Sequence, residues 1–182
     1  MTIPQLLSVD GFRRYGSVVH RGASEGCVAA NQGTAQKFTN VSPIENGFAD
    51  APSGRIGKPV VNIFACEAAA IYKGVYRGYV LERHPFSTQM FSPLGAGRDC
   101  RYLVVVADDS NGRPDLTSLQ AFVASGDMGV TYNANQWHAP MVALDAIDFT
   151  VVQFLNCVAE EDCEEFNIPH GYEVLVAPML TR

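Results

Sequence analysis

The sequence has no apolar run near the length a helix needs to cross a bilayer, so a helical membrane protein is excluded. It has no cluster of Lys and Arg either. Thirteen basic residues stand against 19 acidic ones, a net charge of −6, and nothing in that balance would neutralise the phosphates of a nucleic acid. Charged residues make up only 18% and apolar ones 47%, which argues for a folded chain with a core. Internal repeats, linkers and low-complexity tracts are absent. The length suits one domain, 1–182, able to bury a core without disulfides or a structural metal. No CxxC pair is present. The five cysteines (Cys27, Cys66, Cys100, Cys157 and Cys163) are odd in number, and residues 1–7 have neither the basic start nor the apolar core of a signal peptide. Reduced thiols and a cytoplasmic location are the expectation. A catalytic Cys–His pair stays open, although buried free cysteine is the commoner role.

Helical patterns are scarce as well. Ser8 can cap a helix over residues 9–15, with Phe12 and Tyr15 on one face and Gly16 as its stop, and Asp115 can cap one turn within residues 114–119. Most of the remainder reads as short strands between Gly- and Pro-containing turns, at residues 17–20, 59–66, within 72–89 up to His84, 101–107, 120–124, 129–132, 141–144, 148–155 and 172–176. Residues 27–40 are small and polar, and 29–34 within them read as a loop. The unbroken apolar run from Tyr102 to Ala107 suggests a strand covered on both faces. So many short strands predict an all-β sandwich or closed barrel. The acidic run 159–165 reads as a solvated loop or helix start, because its carboxylates are adjacent and not at the spacing of a metal-binding loop.

The chemistry concentrates in residues 78–93. In a strand, Val80, Glu82 and His84 share one face while Leu81 and Arg83 take the other. Pro85 ends regular pairing, and Gln89 opens a second extended run that can return to the face of Glu82 and His84. One carboxylate with two imidazoles is a known way to hold a divalent cation. Charges at a strand end, paired with each other or with water, explain this segment equally well, so a further ligand decides. It stands at His138, which follows the only Trp of the chain, Trp137, where a polar turn over residues 133–136 leads into the next strand. The order Glu-x-His, Gln, then a later His is similar to the ligand order of cupin barrels, with a Glu where the first His usually stands.

The chain also resembles a particular cupin family, the ureidoglycolate lyases, formerly called ureidoglycolate hydrolases, and most of all its fungal members. The matching residues are Leu81-Glu82-Arg83-His84-Pro85 with Thr88-Gln89, Pro114-Asp115-Leu116 leading into Ala121-Phe122, and Gly129-Val130 with Tyr132 leading to Trp137-His138 and Pro140. Asp148-Phe149 and the N-terminal Phe12, Tyr15 and Gly16 complete a resemblance over roughly residues 9–170. It implies a double-stranded β-helix, the jelly-roll barrel of cupins, with a short N-terminal helix, a homodimer, and cleavage of (S)-ureidoglycolate to glyoxylate and urea in allantoin and purine breakdown. It allows a divalent metal ion (nickel, zinc or manganese) on Glu82, His84, Gln89 and His138 without requiring one, and calls for no organic cofactor.

That substrate carries a hydroxyl, a ureido nitrogen and a carboxylate on one carbon, so cleavage needs a proton taken from the hydroxyl and one given to the nitrogen. Without a metal, Glu82 or His84 would be the base and His138 the acid. Tyr132 and Asn31 are candidate substrate contacts; Tyr132 serves as well as an aromatic of the barrel wall. Where the family carries an Arg after the strand matching residues 60–64, this chain has Ala65-Cys66. Lys37 is then the first candidate to hold the substrate carboxylate, ahead of Arg98 and Arg101. Two other readings remain for such a site: a non-haem iron oxygenase, or a cupin that binds small acids without turnover.

Overall fold

The structure, a computed structural model, describes residues 1–177. Among these the chain forms fifteen strands and two four-residue α-helices. In chain order they are β1 (Gln5–Leu6), α1 (Val9–Phe12), β2 (Gly16–Val19), β3 (Gly26–Ala30), β4 (Ala35–Thr39), β5 (Lys58–Cys66), β6 (Ile71–Tyr72), β7 (Val75–Arg83), β8 (Gln89–Pro93), β9 (Arg101–Ser110), β10 (Arg113–Ser125), β11 (Gly129–Tyr132), β12 (Trp137–His138), β13 (Val142–Ala143), β14 (Ile147–Leu155), α2 (Ala159–Asp162) and β15 (Glu164–Leu175). Eight strands form one sheet in the order β1-β10-β9-β12-β7-β15, with β13 on β9 and β6 on β7. Five form a second, β2-β11-β8-β14-β5, and β3 and β4 make a separate hairpin. The all-β fold of cupin type expected from the sequence is the one observed.

The apolar run in β9 explains the layering. From Tyr102 to Ala107 every side chain is buried. Tyr102, Val104 and Val106 join Phe12, Phe91, Phe122, Tyr132, Phe149 and Val151 in the core between the two sheets. Leu103, Val105 and Ala107 face the other way, into a second core with Leu81, Trp137, Tyr172 and Val174. A period-2 strand covered on both faces must be apolar at every position, as this one is. The first core is locked by edge-on aromatic contacts, among them Tyr102–Phe149 at 5.1 Å and Phe12–Phe122 at 5.6 Å between centroids. At Gly16, φ +158°, a Cβ would stand 1.9 Å from the Thr131 carbonyl oxygen. Glycine therefore lets β2 press against β11, the strand that carries Tyr132.

Three expectations are corrected. The first helix stops at Phe12, one turn long, although Ser8 caps it as expected by accepting the Gly11 N–H at 3.2 Å. Tyr15 and Gly16 are instead claimed by the core and by β2. The turn expected at Pro114–Leu119 lies inside β10, where the register with β9 shifts between Asp115 and Gln120. The Asp115 carboxylate does accept the Thr117 N–H at 2.9 Å, as a helix cap would, but pairing with β9 on both sides makes the feature a bulge. The small polar stretch 27–40 pairs with itself as the β3–β4 hairpin, so the loop expected at 29–34 shrinks to the hairpin's turn and Ala29 and Ala30 belong to β3. All five cysteines are free.

Phe149 is fully buried, whereas Val28 on the hairpin is 52% exposed. Phe149→Ala should lower unfolding free energy by about 3–5 kcal/mol in urea titrations, and Val28→Ala by less than about 0.5 kcal/mol. Equal losses would mean that the inter-sheet core is not where stability resides.

Candidate active site

Register places the first two groups. Glu82 of β7 lies opposite His138 of β12, and His138 opposite Val106 of β9. Direct partners share a face, so Glu82 and His138 point with Val106 into the inter-sheet core. Trp137 and Leu81 take the opposite face, and Arg83 lies over the Trp137 ring at 4.5 Å while pairing with Glu164 at 2.6 Å and Asp109 at 2.9 Å. The alternation expected around Glu82 is the one observed. His84 follows the end of β7, and the turn through Pro85 carries the chain to the opposite sheet. That turn is fixed from outside. The Ser87 hydroxyl accepts the Phe154 N–H at 2.9 Å, and the Thr88 hydroxyl accepts the Glu45 N–H at 2.9 Å.

Gln89 then opens β8 beside Tyr132 of β11 and faces His138 across the gap. Four groups thus meet in one place. The His138 Nε2 lies 3.1 Å from the Gln89 Oε1 and 3.6 Å from the Glu82 Oε1. Ligand atoms of Glu82, His84 and His138 all lie within 4.8 Å of one another. His84, Gln89 and His138 are buried, and the Glu82 side chain is 14% exposed, so Glu82 forms the open side. The Tyr132 ring stacks flat on His138, centroids 3.9 Å apart and planes 14° apart.

Hydrogen bonds fix both imidazoles. The His84 Nδ1–H donates to the Asp162 carbonyl at 2.6 Å, and the His138 Nδ1–H to the Gln136 carbonyl at 2.8 Å, since a carbonyl can only accept. A neutral ring therefore turns an Nε2 lone pair inward; the His84 Nε2 is buried without a hydrogen-bond partner, whereas the His138 Nε2 lies at hydrogen-bond distance from the Gln89 Oε1. Gln89 uses its amide N–H on the Gln153 Oε1 at 2.9 Å, which leaves its carbonyl oxygen facing His138. With both rings neutral, two nitrogens and two oxygens converge as acceptors; with a proton on its Nε2, His138 instead donates to the Gln89 Oε1 and pairs with Glu82. The neutral set suits a first-row divalent cation, and the outward N–H bonds to carbonyls are the usual orienting contacts of histidine ligands. The residues present fit a metal ion.

Electrostatics agree. Burial works to raise the Glu82 carboxyl, but the hydrogen bond and charge of His138 and the charge of His84 outweigh it and hold it below the usual range. Burial, then the neighbouring His138, lowers His84, which favours the neutral imidazole a metal requires. The Tyr132 phenol, raised by burial and then by Tyr102 and Glu82, stays neutral, and its buried hydroxyl has no partner among the described residues. Cys163, the neighbouring thiol, is pushed up to about 12 by burial and then by Glu82 and other carboxylates, so it is not the thiolate a Cys–His nucleophile needs.

Lys37 and Asn31 lie on the β3–β4 hairpin, both exposed, and neither bonds to the four converging residues among the described ones. Arg98 is engaged with Asp127 at 2.7 Å. Sequence reasoning passed over three supports: Gln153 and the carbonyls of Gln136 and Asp162. Gln153 had a signal, since Ile147, Phe149 and Val151 hold the preceding inward places of β14 and a polar group breaks that period. The carbonyls had none. Asp162 belongs to the acidic run, which forms α2. There the buried Glu161 accepts the Ser53 N–H at 2.7 Å and hydroxyl at 2.6 Å, and the Asp162 carboxylate accepts the Asn156 and Cys157 N–H groups.

An all-β fold of this kind, with Glu-x-His leading into Gln and a late His gathered between its sheets, places the chain among cupin-like proteins. The comparisons with known proteins make it narrower. The family model described as ureidoglycolate lyase matches residues 1–175, and the chain belongs to that family. It is 37% identical over 179 residues to ureidoglycolate lyase of Schizosaccharomyces pombe, covering 94% of each chain. It is 32% identical over 191 residues to that of Saccharomyces cerevisiae, covering 93% of this chain and 95% of the relative. The Brucella anthropi enzyme of that name is 33% identical over 161 residues, with 88% and 85% covered.

If the four groups hold a cation, Ni²⁺ or Mn²⁺ at about 100 times its dissociation constant should stabilise the folded protein by about 2.7 kcal/mol. His84→Ala should abolish that gain in thermal unfolding and Lys37→Met should keep it. No stabilisation of the metal-free parent by any first-row divalent ion would rule out the metal centre.

Proposed function

We propose that this protein is a ureidoglycolate lyase that cleaves (S)-ureidoglycolate to glyoxylate and urea within purine breakdown in the cytoplasm. The observation that carries the reading is the four-acceptor centre in a chain of that family. The substrate contains both the group to be expelled and the oxygen that expels it. When the hydroxyl loses its proton, the C–O bond becomes the aldehyde of glyoxylate, the C–N bond breaks, and the departing nitrogen takes up one proton to become urea.

Glu82, His84, Gln89 and His138 would hold a divalent ion, which would supply Lewis acidity to the hydroxyl and carboxylate oxygens of the substrate. His84 and His138, fixed through their Nδ1–H bonds, keep their lone pairs on the centre. Tyr132 supports the His138 ring by stacking. Glu82 is the member that can move a proton. One carboxylate oxygen faces His138, and the group alone among the four keeps some exposure, 14% of its side chain, on the side where substrate would enter. Its second oxygen takes the hydroxyl proton and returns it to the ureido nitrogen, so a single residue serves as base and then as acid. Lys37, whose ammonium makes no ion pair among the described residues, is the proposed holder of the substrate carboxylate on the family resemblance.

Glu82→Gln should cut kcat by on the order of 10² or more, while the cation-induced stabilisation persists in weakened form. Lys37→Met should raise KM and largely spare kcat, as loss of uniform binding does. Both are read from urea and glyoxylate released, after subtracting spontaneous decay of the substrate. Near-parental kcat in Glu82→Gln would remove the carboxylate from the proton transfer. An unchanged KM in Lys37→Met would remove that residue from substrate binding.

The assembly proposed is a homodimer. Its support, besides the resemblance, is β5: a nine-residue strand at the free edge of its sheet, with Val61 68% and Ile63 55% exposed. A second copy can pair antiparallel to such an edge and cover it. Sedimentation velocity should give a dimer that Val61→Lys weakens; a monomer at micromolar concentration would refute the assembly.

A further inference from the structure

Gln153 touches none of Glu82, His84 and His138 among the described contacts, yet the direction of Gln89 depends on it. A carboxamide has a donor end and an acceptor end of nearly equal size, so packing alone does not choose between them; the hydrogen-bond partners do. At one end of Gln89 stands the His138 Nε2, which in the neutral ring that a cation requires is a lone pair, because the Nδ1–H is committed to Gln136. Left to itself, Gln89 would turn its NH₂ toward that lone pair. The centre would then be closed by a hydrogen and lose an oxygen ligand. At the other end the Gln153 Oε1 accepts the Gln89 N–H at 2.9 Å and holds the carboxamide the opposite way. Both amides are buried, 3% and 8% exposed, so water does not offer either a substitute partner.

We propose that Gln153 is a positioning residue that sets the ligand character of Gln89, and that the two amides turn as a pair. With the Gln153 oxygen forward, Gln89 presents oxygen to the centre and completes a cation site. With the Gln153 NH₂ forward, Gln89 presents NH₂ to His138 and the centre is satisfied without a cation. Uptake of the ion and orientation of Gln153 are then two sides of one equilibrium. The inference rests on the reading of the four residues as a cation centre.

The test measures Ni²⁺ affinity by isothermal titration calorimetry in the metal-free protein and its variants, a readout separate from turnover. Gln153→Met fills the space without an acceptor and should weaken binding by about 10–100-fold, the usual loss when an outer support of a metal ligand is removed. Gln153→Leu gives the same answer if the methionine variant does not fold, and far-UV circular dichroism checks both. Gln153→Glu, acceptor only, should retain or improve affinity. Because an added charge would also attract the ion, the decisive arm is the cycle with Gln89→Met. Once Gln89 is gone, Gln153→Met should cost nothing further. Parental affinity in Gln153→Met, or an equal loss in the Gln89→Met background, overturns the positioning role while leaving the centre intact. Absence of Ni²⁺ binding by the unmutated protein overturns the centre itself, and the positioning role with it.

Discussion

Four acceptors turned toward one another inside a protein repel, and everything around this centre serves to keep them there. A buried polar group without a partner costs about 1–3 kcal/mol, and the His84 Nε2 is in that position here. A shared proton would satisfy a pair; a divalent ion satisfies all four. The outward contacts oppose any escape: each imidazole is held through its far nitrogen by a backbone carbonyl, and the carboxamide by a second carboxamide. Because the carbonyls are backbone atoms, side-chain substitution does not remove them directly.

The barrel supplies the geometry through register. Glu82 faces inward only because β12 pairs it with His138, and a slip of one residue would replace it by Arg83. Arg83 is tied to the opposite face by the Trp137 ring, Glu164 and Asp109, so the strand is pinned on the side away from the site. Trp137 and His138 are therefore one device: adjacent residues on opposite faces, the first fixing the register that the second uses. Gly16 adds to this from the far sheet, since close approach of β2 and β11 sets the height of Tyr132 beneath His138.

Most of this was legible in the sequence where a period or a motif recorded it. The alternation at residues 80–84 gave the inward face, Pro85 gave the end of the strand, and the Tyr102–Ala107 run gave a strand buried on both sides. Signals failed where local chemistry has two meanings. Asp115 bonds to the next turn of backbone in a bulge as readily as in a helix cap, and only pairing with β9 decides. Small polar residues pair in the β3–β4 hairpin without an apolar pattern to announce it. The Asp162 carbonyl was illegible in principle, since every residue carries one; what aims it is the buried Glu161 and the capping of Asn156 and Cys157, long-range contacts that no local pattern records.

The proposed reaction asks little beyond this frame, and that bears on what the centre must avoid. Ureidoglycolate expels urea once one proton moves from oxygen to nitrogen, so three groups can be rigid and only one needs to titrate. The product, an aldehyde, is the hazard. A free thiolate beside it would add to the carbonyl carbon, and Cys163 is close enough to feel the charge of Glu82. Burial and the surrounding carboxylates push that thiol up to about 12, so it stays protonated and poorly nucleophilic at neutral pH. The negative field of Glu82 thus has two consequences. In the proposed reaction it would attract the cation and accept the substrate proton, and, after burial, it helps keep the Cys163 thiol protonated.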